Sequence, residues 1–146
     1  IQKLSKMYRY ILDNEETDLI SLNKELEFVQ HYIELQKVRD NDKILFDIDI
    51  QDTTKLNIIP VSLQILVENA LKHNSKSVNS PLRIQIKRMD NYLIVANNVQ
   101  KKNKFENTSK KGLKNLQERV KLIHKKELII KEENNKFVVK LPFIHE

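Results

Sequence analysis

Four groups capable of chemistry crowd into six positions of LQILVENALKHN, residues 63–74: the Glu68 carboxylate, the Asn69 amide, the Lys72 ammonium and the His73 imidazole. The rest of the run is mostly apolar. Set on a helix at about 100° per residue, Lys72 falls about 40° from Glu68, Asn69 about 100° and His73 about 140°. Leu63, Leu66, Val67, Ala70 and Leu71 fill the opposite arc, so the helix divides into a core face and a polar face. A carboxylate and an amide oxygen are hard ligands suited to Mg²⁺. A lysine and a histidine suit phosphate oxygens. Ile65 interrupts the polar face, which therefore reads as a pocket wall. On the helix alone, an ordinary amphipathic element with a mixed-charge outer face fits equally well.

A second candidate is KKGLKNL, residues 110–116, where a basic stretch ends at the only glycine of the chain and a helix is expected to begin. Glycine lets a backbone approach a ligand closely. The free N–H groups of a helix start favour phosphate. Each element is weak evidence singly; together they could contact two ends of one Mg²⁺–triphosphate.

The elements that must position them follow from periodicity. Residues 1–12 and 21–39 read as helices, the second capped by Ser21 and carrying a seam of Leu22, Leu26, Val29, Ile33 and Gln36. ILFDIDI (44–50) alternates with period two, as a half-buried strand does. Pro60 is placed as a first-turn proline opening the helix of the polar cluster. LRIQIKR and YLIVA read as strands joined at Met89–Asn91, residues 99–111 as a polar lid, and Leu113, Leu116, Val120 and Ile123 as the stripe of a last helix. ELIIKE and KFVVKLPF close the chain as a hairpin around Asn134-Asn135. The expectation is an α/β sandwich, a mixed sheet with helices on one face, preceded by a helical hairpin. A boundary is expected at residue 40, between helices 1–40 and a domain of residues 41–146.

The 146 residues carry no cysteine, which excludes disulfides and thiolate metal sites. The longest apolar runs are too short to span a membrane. The chain starts at Ile1 rather than Met and is expected to be a piece of a longer protein. Residues 1–80 carry ten Lys+Arg against thirteen Asp+Glu, a net of −3, and residues 81–146 sixteen against seven, a net of +9. The basic half suits a phosphate-bearing partner or a solvated lysine-rich surface. Direct nucleic-acid binding is not expected, because few aromatics stand beside the basic residues.

VSLQILVENALKHN resembles the N-box of LytS-type sensor histidine kinases, within the wider GHKL (Bergerat-fold) group of ATPases. KLSKMYRYIL resembles the segment after that family's phosphoacceptor helix. SLNKELEFVQHYIELQKVR resembles its second dimerisation helix, KGLKNLQERVKLIH its Gly-Leu-x-Asn-x-x-x-Arg block, and the final hairpin its end. The resemblance implies ATP and Mg²⁺ as cofactors and transfer of a γ-phosphoryl group to a histidine. Asn69 would coordinate the metal. Lys72 and His73 would reach phosphates or ribose, and Glu68 would act as the catalytic group that polarises the attacking atom. Gly112 and Leu113 would cradle phosphates, aided by Lys110 and Lys111. It also implies a homodimer, a response-regulator partner of LytTR type, and a cytoplasmic domain tethered to an inner membrane by upstream segments.

The sequence departs from the family at three places. None of His31, His73, His124 and His145 matches the acceptor histidine, which is expected upstream, so the chain alone is expected not to phosphorylate itself. In VANNVQ, Asn97 stands where an Asp normally receives the adenine amino group, and Val99 stands for a glycine. The usual Gly-x-Gly is reduced to Gly112, with Lys110 for its first glycine. These departures keep open a second reading, a dimerising signal-relay module without turnover.

Overall fold

The computed structural model describes residues 19–100 and 111–145. The expected helix at 1–12, most of the lid and Lys110 lie outside them. Strand β1 (Ile20–Ser21) runs into helix α1 (Leu22–Asp40). The Ser21 hydroxyl accepts a hydrogen bond from the Lys24 N–H at 3.3 Å, the expected cap. A 3₁₀ turn at Asn41–Lys43 leads to β2 (Ile44–Asp49), and β3 (Leu56–Ile58) to helix α2 (Ser62–His73). Then come β4 (Leu82–Met89), β5 (Tyr92–Asn98), helix α3 (Lys111–His124), β6 (Ile129–Glu133), β7 (Lys136–Pro142) and β8 (Ile144–His145).

Five strands form a sheet in the order β2-β4-β5-β7-β6, parallel only between β2 and β4. The sheet is mixed, as expected. Its inner face presents Ile44, Ile84, Ile86, Leu93, Val95, Val139 and Leu141 to the helices. Its outer face carries Asp47, Asp49, Arg83 and Lys131, all exposed. The β6–β7 turn is the expected Asn134-Asn135 pair, with φ of 53° and 60°. Positive φ at both central residues matches the twist of a tight hairpin, and asparagine tolerates it. A separate small sheet, β1-β3-β8, was not anticipated. Its strands have two or three residues, too short for a period-two pattern to register. Pro60 does not open α2: Val61 is the N-cap and Ser62 the first helical residue.

The boundary expected at residue 40 does not divide the described structure. Leu22, Leu26, Phe28, Val29, Tyr32 and Ile33 of α1 lie in one apolar cluster with Leu63, Val67 and Leu71 of α2 and the inner sheet face. The physical reason is the width of the buried stripe. A dimerisation seam needs only a narrow line, but α1 also buries Glu25, Phe28 and Tyr32, which gives the broad face of a helix packed on a domain core. Leu22 is fully buried. Leu22→Ala is therefore expected to lower the stability of the whole domain by about 2–5 kcal/mol, the cost of truncating a core leucine. Chemical denaturation followed on the sheet signal checks this. An unchanged midpoint would mean that α1 is a separate unit.

Candidate functional site

Helices α2 and α3 meet where the sequence placed its two chemical elements. A Cβ built on Gly112 would come 3.7 Å from Ile65 Cγ2. Ile65, the apolar interruption of the polar face, thus packs against the start of α3. Asn69 follows one turn later on the same face, half-buried, and so lies on the side of α2 that faces the α3 N-terminus. Gly112 is helical with an ordinary φ, and 3.7 Å is normal contact. Among the described residues the contacts at Gly112 do not themselves require glycine. A glycine there leaves room for close approach to the first-turn N–H groups.

The polar face of α2 splits in two. Glu68 lies toward α1: it pairs with Lys72 Nζ at 3.0 Å and accepts from Gln64 Nε2 at 3.0 Å. Burial and then the negative Glu68 push the Tyr32 phenol of α1 up to about 12, with Arg39 opposing. Glu68 is therefore occupied on the α1 side, while Asn69 looks to α3. Lys72 is half-exposed, so its long stem is free to turn from Glu68 to another anion. His73 is half-buried at the end of the helix.

Asn97, near the end of β5, is buried on the inner face of the sheet, paired across the strands with Ile84 and Phe137. Its Nδ2 donates to the Asn98 carbonyl at 2.8 Å. The amide N–H₂ is thereby engaged, and Oδ1 is the atom of this side chain suited to receive a donor. Leu113 is half-buried in the first turn of α3; of Lys111 only the backbone is described. His31 lies on the outer side of α1, within 4.0 Å of both Glu27 and Glu34. His124 ends α3 with Nε2 buried and unpartnered, and burial followed by Lys126 lowers its pKa.

Two features escaped the sequence reading. Asn74, buried just after α2, donates from Nδ2 to the Ala70 carbonyl at 2.9 Å and accepts from Gln100 N at 2.7 Å. Gln100 Nε2 donates to the Ser75 and Ser80 carbonyls, each at 3.0 Å. The entrance to residues 101–110 is thus fastened to the end of α2. The partners are about 25 residues apart, and no local period announces them. The second is Arg119 of α3, whose Nη1 donates to the Pro60 carbonyl at 3.4 Å. The arginine of the Gly-Leu-x-Asn-x-x-x-Arg block was its signal.

Several known proteins share this fold. The catalytic domain of the histidine kinase ThkA superposes with a TM-score of 0.55 at 16% identity, covering 85% of this chain and 93% of that one. The cytoplasmic segment of the histidine kinase QseC gives 0.59 at 17%, covering 92% and 83%. The fold is that of a histidine-kinase catalytic domain. Residues 1–44 match the model of the Histidine kinase family. The sensor protein kinase HptS of Staphylococcus aureus (strain USA300) is 31% identical over 101 residues, 67% of this chain. The chain spans about a fifth of the length of that relative, 19%. The ThkA catalytic domain covers a larger share of this chain than residues 41–146 alone contain.

The Tyr32 environment makes a pH prediction. Its phenol ionises near 10 in the unfolded chain and at about 12 in the fold. A raised acid pKa means that the fold favours the neutral form. Its contribution to stability is complete below pH 10 and is lost as pH rises from 10 to 12. Tyr32→Phe is expected to flatten the fall in stability over that window. Tyrosinate absorbance and denaturation midpoints across it provide the check.

Proposed function

We propose that this chain is the ATP-binding catalytic part of a sensor histidine kinase of the LytS type, passing the γ-phosphoryl group of ATP to a histidine outside these residues. The observation that carries the reading is the contact of Ile65 with the start of α3 at Gly112, with Asn69 one turn after Ile65 on the same face of α2. That spacing would bring a neutral oxygen ligand toward the N–H groups of a helix start. That pairing suits a cation already carried by phosphate oxygens. Among the described residues no group of three His, Asp or Glu could hold a metal by itself. Mg²⁺ in such a site would be held largely through the nucleotide, with Asn69 Oδ1 as the protein oxygen suited to it. When bound it neutralises charge on the transferring phosphates.

The chain's own groups then divide the work. The first-turn amides of α3 at Gly112 and Leu113 receive phosphate oxygens. Lys72 exchanges Glu68 for phosphate, with Lys110 and Lys111 adding positive charge. His73 reaches phosphate or ribose. Asn97 Oδ1 accepts from the adenine amino group, more weakly than a carboxylate would. Freed of Lys72, Glu68 is the group suited to polarise the attacking histidine. Phosphoryl transfer requires chiefly such positioning and charge neutralisation. The homodimer would be built by segments upstream of α1, because the apolar face of α1 is committed to this domain. The phosphoryl group would pass onward to a response regulator, of LytTR type on this reading. The chain would be the cytoplasmic part of an inner-membrane protein; no helix among its described residues is long and apolar enough to cross a membrane.

A second reading, a signal-relay module without turnover, is favoured by one observation: the residue that would read adenine is a buried neutral amide, Asn97, rather than a carboxylate. Calorimetry separates the two. The wild-type chain is expected to bind a non-hydrolysable ATP analogue only with Mg²⁺, and Asn69→Ala to abolish the Mg²⁺-dependent part. Absence of binding at millimolar nucleotide would favour the relay. Gly112→Ala is expected to keep or slightly raise stability, since alanine is the better helix former by about 0.5–1 kcal/mol. The same substitution should weaken nucleotide binding about tenfold, the equivalent of roughly 1.4 kcal/mol. Equal affinities would mean that phosphate does not approach that backbone.

A further inference from the structure

Glu25 is a fully buried acid on the apolar face of α1. Its Oε1 accepts from Val61 N at 3.0 Å and its Oε2 from Leu63 N at 3.0 Å. One carboxylate thus caps the start of α2 from a different helix. The helix has no cap of its own: Val61 at the N-cap position offers no polar side chain, and the buried Ser62 Oγ has no hydrogen-bond partner. Val61 also holds φ 67°, a left-handed conformation that is strained for a β-branched residue. Such a conformation persists only where its surroundings over-determine it. On the other side of the same turn, Arg119 of α3 donates to the Pro60 carbonyl at 3.4 Å. Residues 60–63 are therefore gripped by an anion from α1 on their N–H groups and by a cation from α3 on their carbonyl.

We propose that Glu25 and Arg119 are positioning residues for the nucleotide site: together they set the origin and tilt of α2, and hence the place of Asn69 against the start of α3. The inference rests on the nucleotide-binding reading of that site. Neither residue touches the nucleotide. Helix α2 has two ties to α3, one at Ile65–Gly112 beside the site and one at Pro60–Arg119 at its beginning. Two ties to one helix and a bidentate tie to another leave α2 little freedom to pivot. Asn69 sits two turns from the gripped end, so a small rotation there is carried along a rigid helix to the metal-ligand position. The carboxylate is suited to the task because its two oxygens satisfy two amides at once. A glutamine at 25 offers one acceptor oxygen and sets an N–H₂ against a donor.

The test uses the whole 146-residue chain as wild type, Glu25→Gln, Arg119→Gln and Arg119→Lys, at a temperature where circular dichroism shows each fully folded. The first readout needs no nucleotide: amide chemical shifts of the Asn69 side chain and the Gly112 backbone in the free protein. Both are expected to move in Glu25→Gln and Arg119→Gln, with Arg119→Lys recovering part of the change. The second readout is affinity for Mg²⁺ and a non-hydrolysable ATP analogue, expected to fall at least fivefold in Glu25→Gln and threefold in Arg119→Gln. Unmoved Asn69 and Gly112 resonances in both Gln variants would overturn the proposal, as would wild-type affinity in folded variants. Should Glu25→Gln fail to fold, Arg119→Gln decides alone, because it removes one long hydrogen bond at a half-exposed position. Wild-type chain that binds no nucleotide would refute the reading of the site, and the resonance shifts would still judge the grip.

Discussion

A carboxylate taken wholly out of water is costly unless both oxygens find donors. Glu25 meets that condition with the Val61 and Leu63 amides, and much of the molecule is arranged around this fact. The first amides of a helix lack partners within the helix and need an outside acceptor when buried. Here the requirement of a buried acid and the requirement of a buried helix start cancel each other. The pairing obliges α1 to lie across the beginning of α2. That places Leu22, Leu26 and Val29 in the shared core and makes α1 part of the domain rather than an appendage. It also brings Tyr32, two turns along α1, beside Glu68 of α2.

The division of the α2 polar face follows from this geometry. The helix is wedged between α1 and α3, so its hydrophilic residues cannot all look the same way. Those turned to α1, Gln64, Glu68 and Lys72, satisfy one another. Asn69, turned to α3, stands opposite a helix start that carries no side chain at Gly112. One side of the helix is thus internally paired, and the other turns Asn69 toward a neighbouring helix start, from one helix with a two-sided neighbourhood.

What could be read in the sequence was what has a local period or a single-residue rule. The ILFDIDI strand announced itself by alternation and the last hairpin by Asn134-Asn135. The core and polar faces of α2 followed from a 100° step. The juxtaposition of residues 63–74 with Gly112 was legible as two elements of matching chemistry, although the Ile65 contact that joins them was not. The β1-β3-β8 sheet was hidden because its strands are too short to show a period. The Asn74–Gln100 network was hidden because its partners are distant in sequence. The shared core of α1 was hidden because a four-three spacing of apolar residues serves a dimerisation seam and a domain face alike. Glu25, an acid between Leu22 and Val29 on that same stripe, was the visible objection. A narrow seam does not accommodate an unpaired carboxylate, whereas a domain core does so when it supplies a helix start.

Part of the charge asymmetry is the solvated lysine-rich surface that the composition allowed. Five of the sixteen basic residues of 81–146 lie on the outer sheet face. Arg83, Lys87, Lys131, Lys136 and Lys140 all follow the outward phase of their strands. Lys87 and Lys140 flank Ile94 in register on that face, and Ile94 is only 5% exposed. Lysine stems laid along an apolar residue keep their ammonium groups in water while shielding it. The charge there serves solvation of a sheet that would otherwise show a hydrophobic spine. The cation nearest Asn69 in the sequence, Lys72, comes from the acidic half. Net charge by halves therefore describes the surface, and the chemistry of the site is set by a few groups whose directions the helices fix.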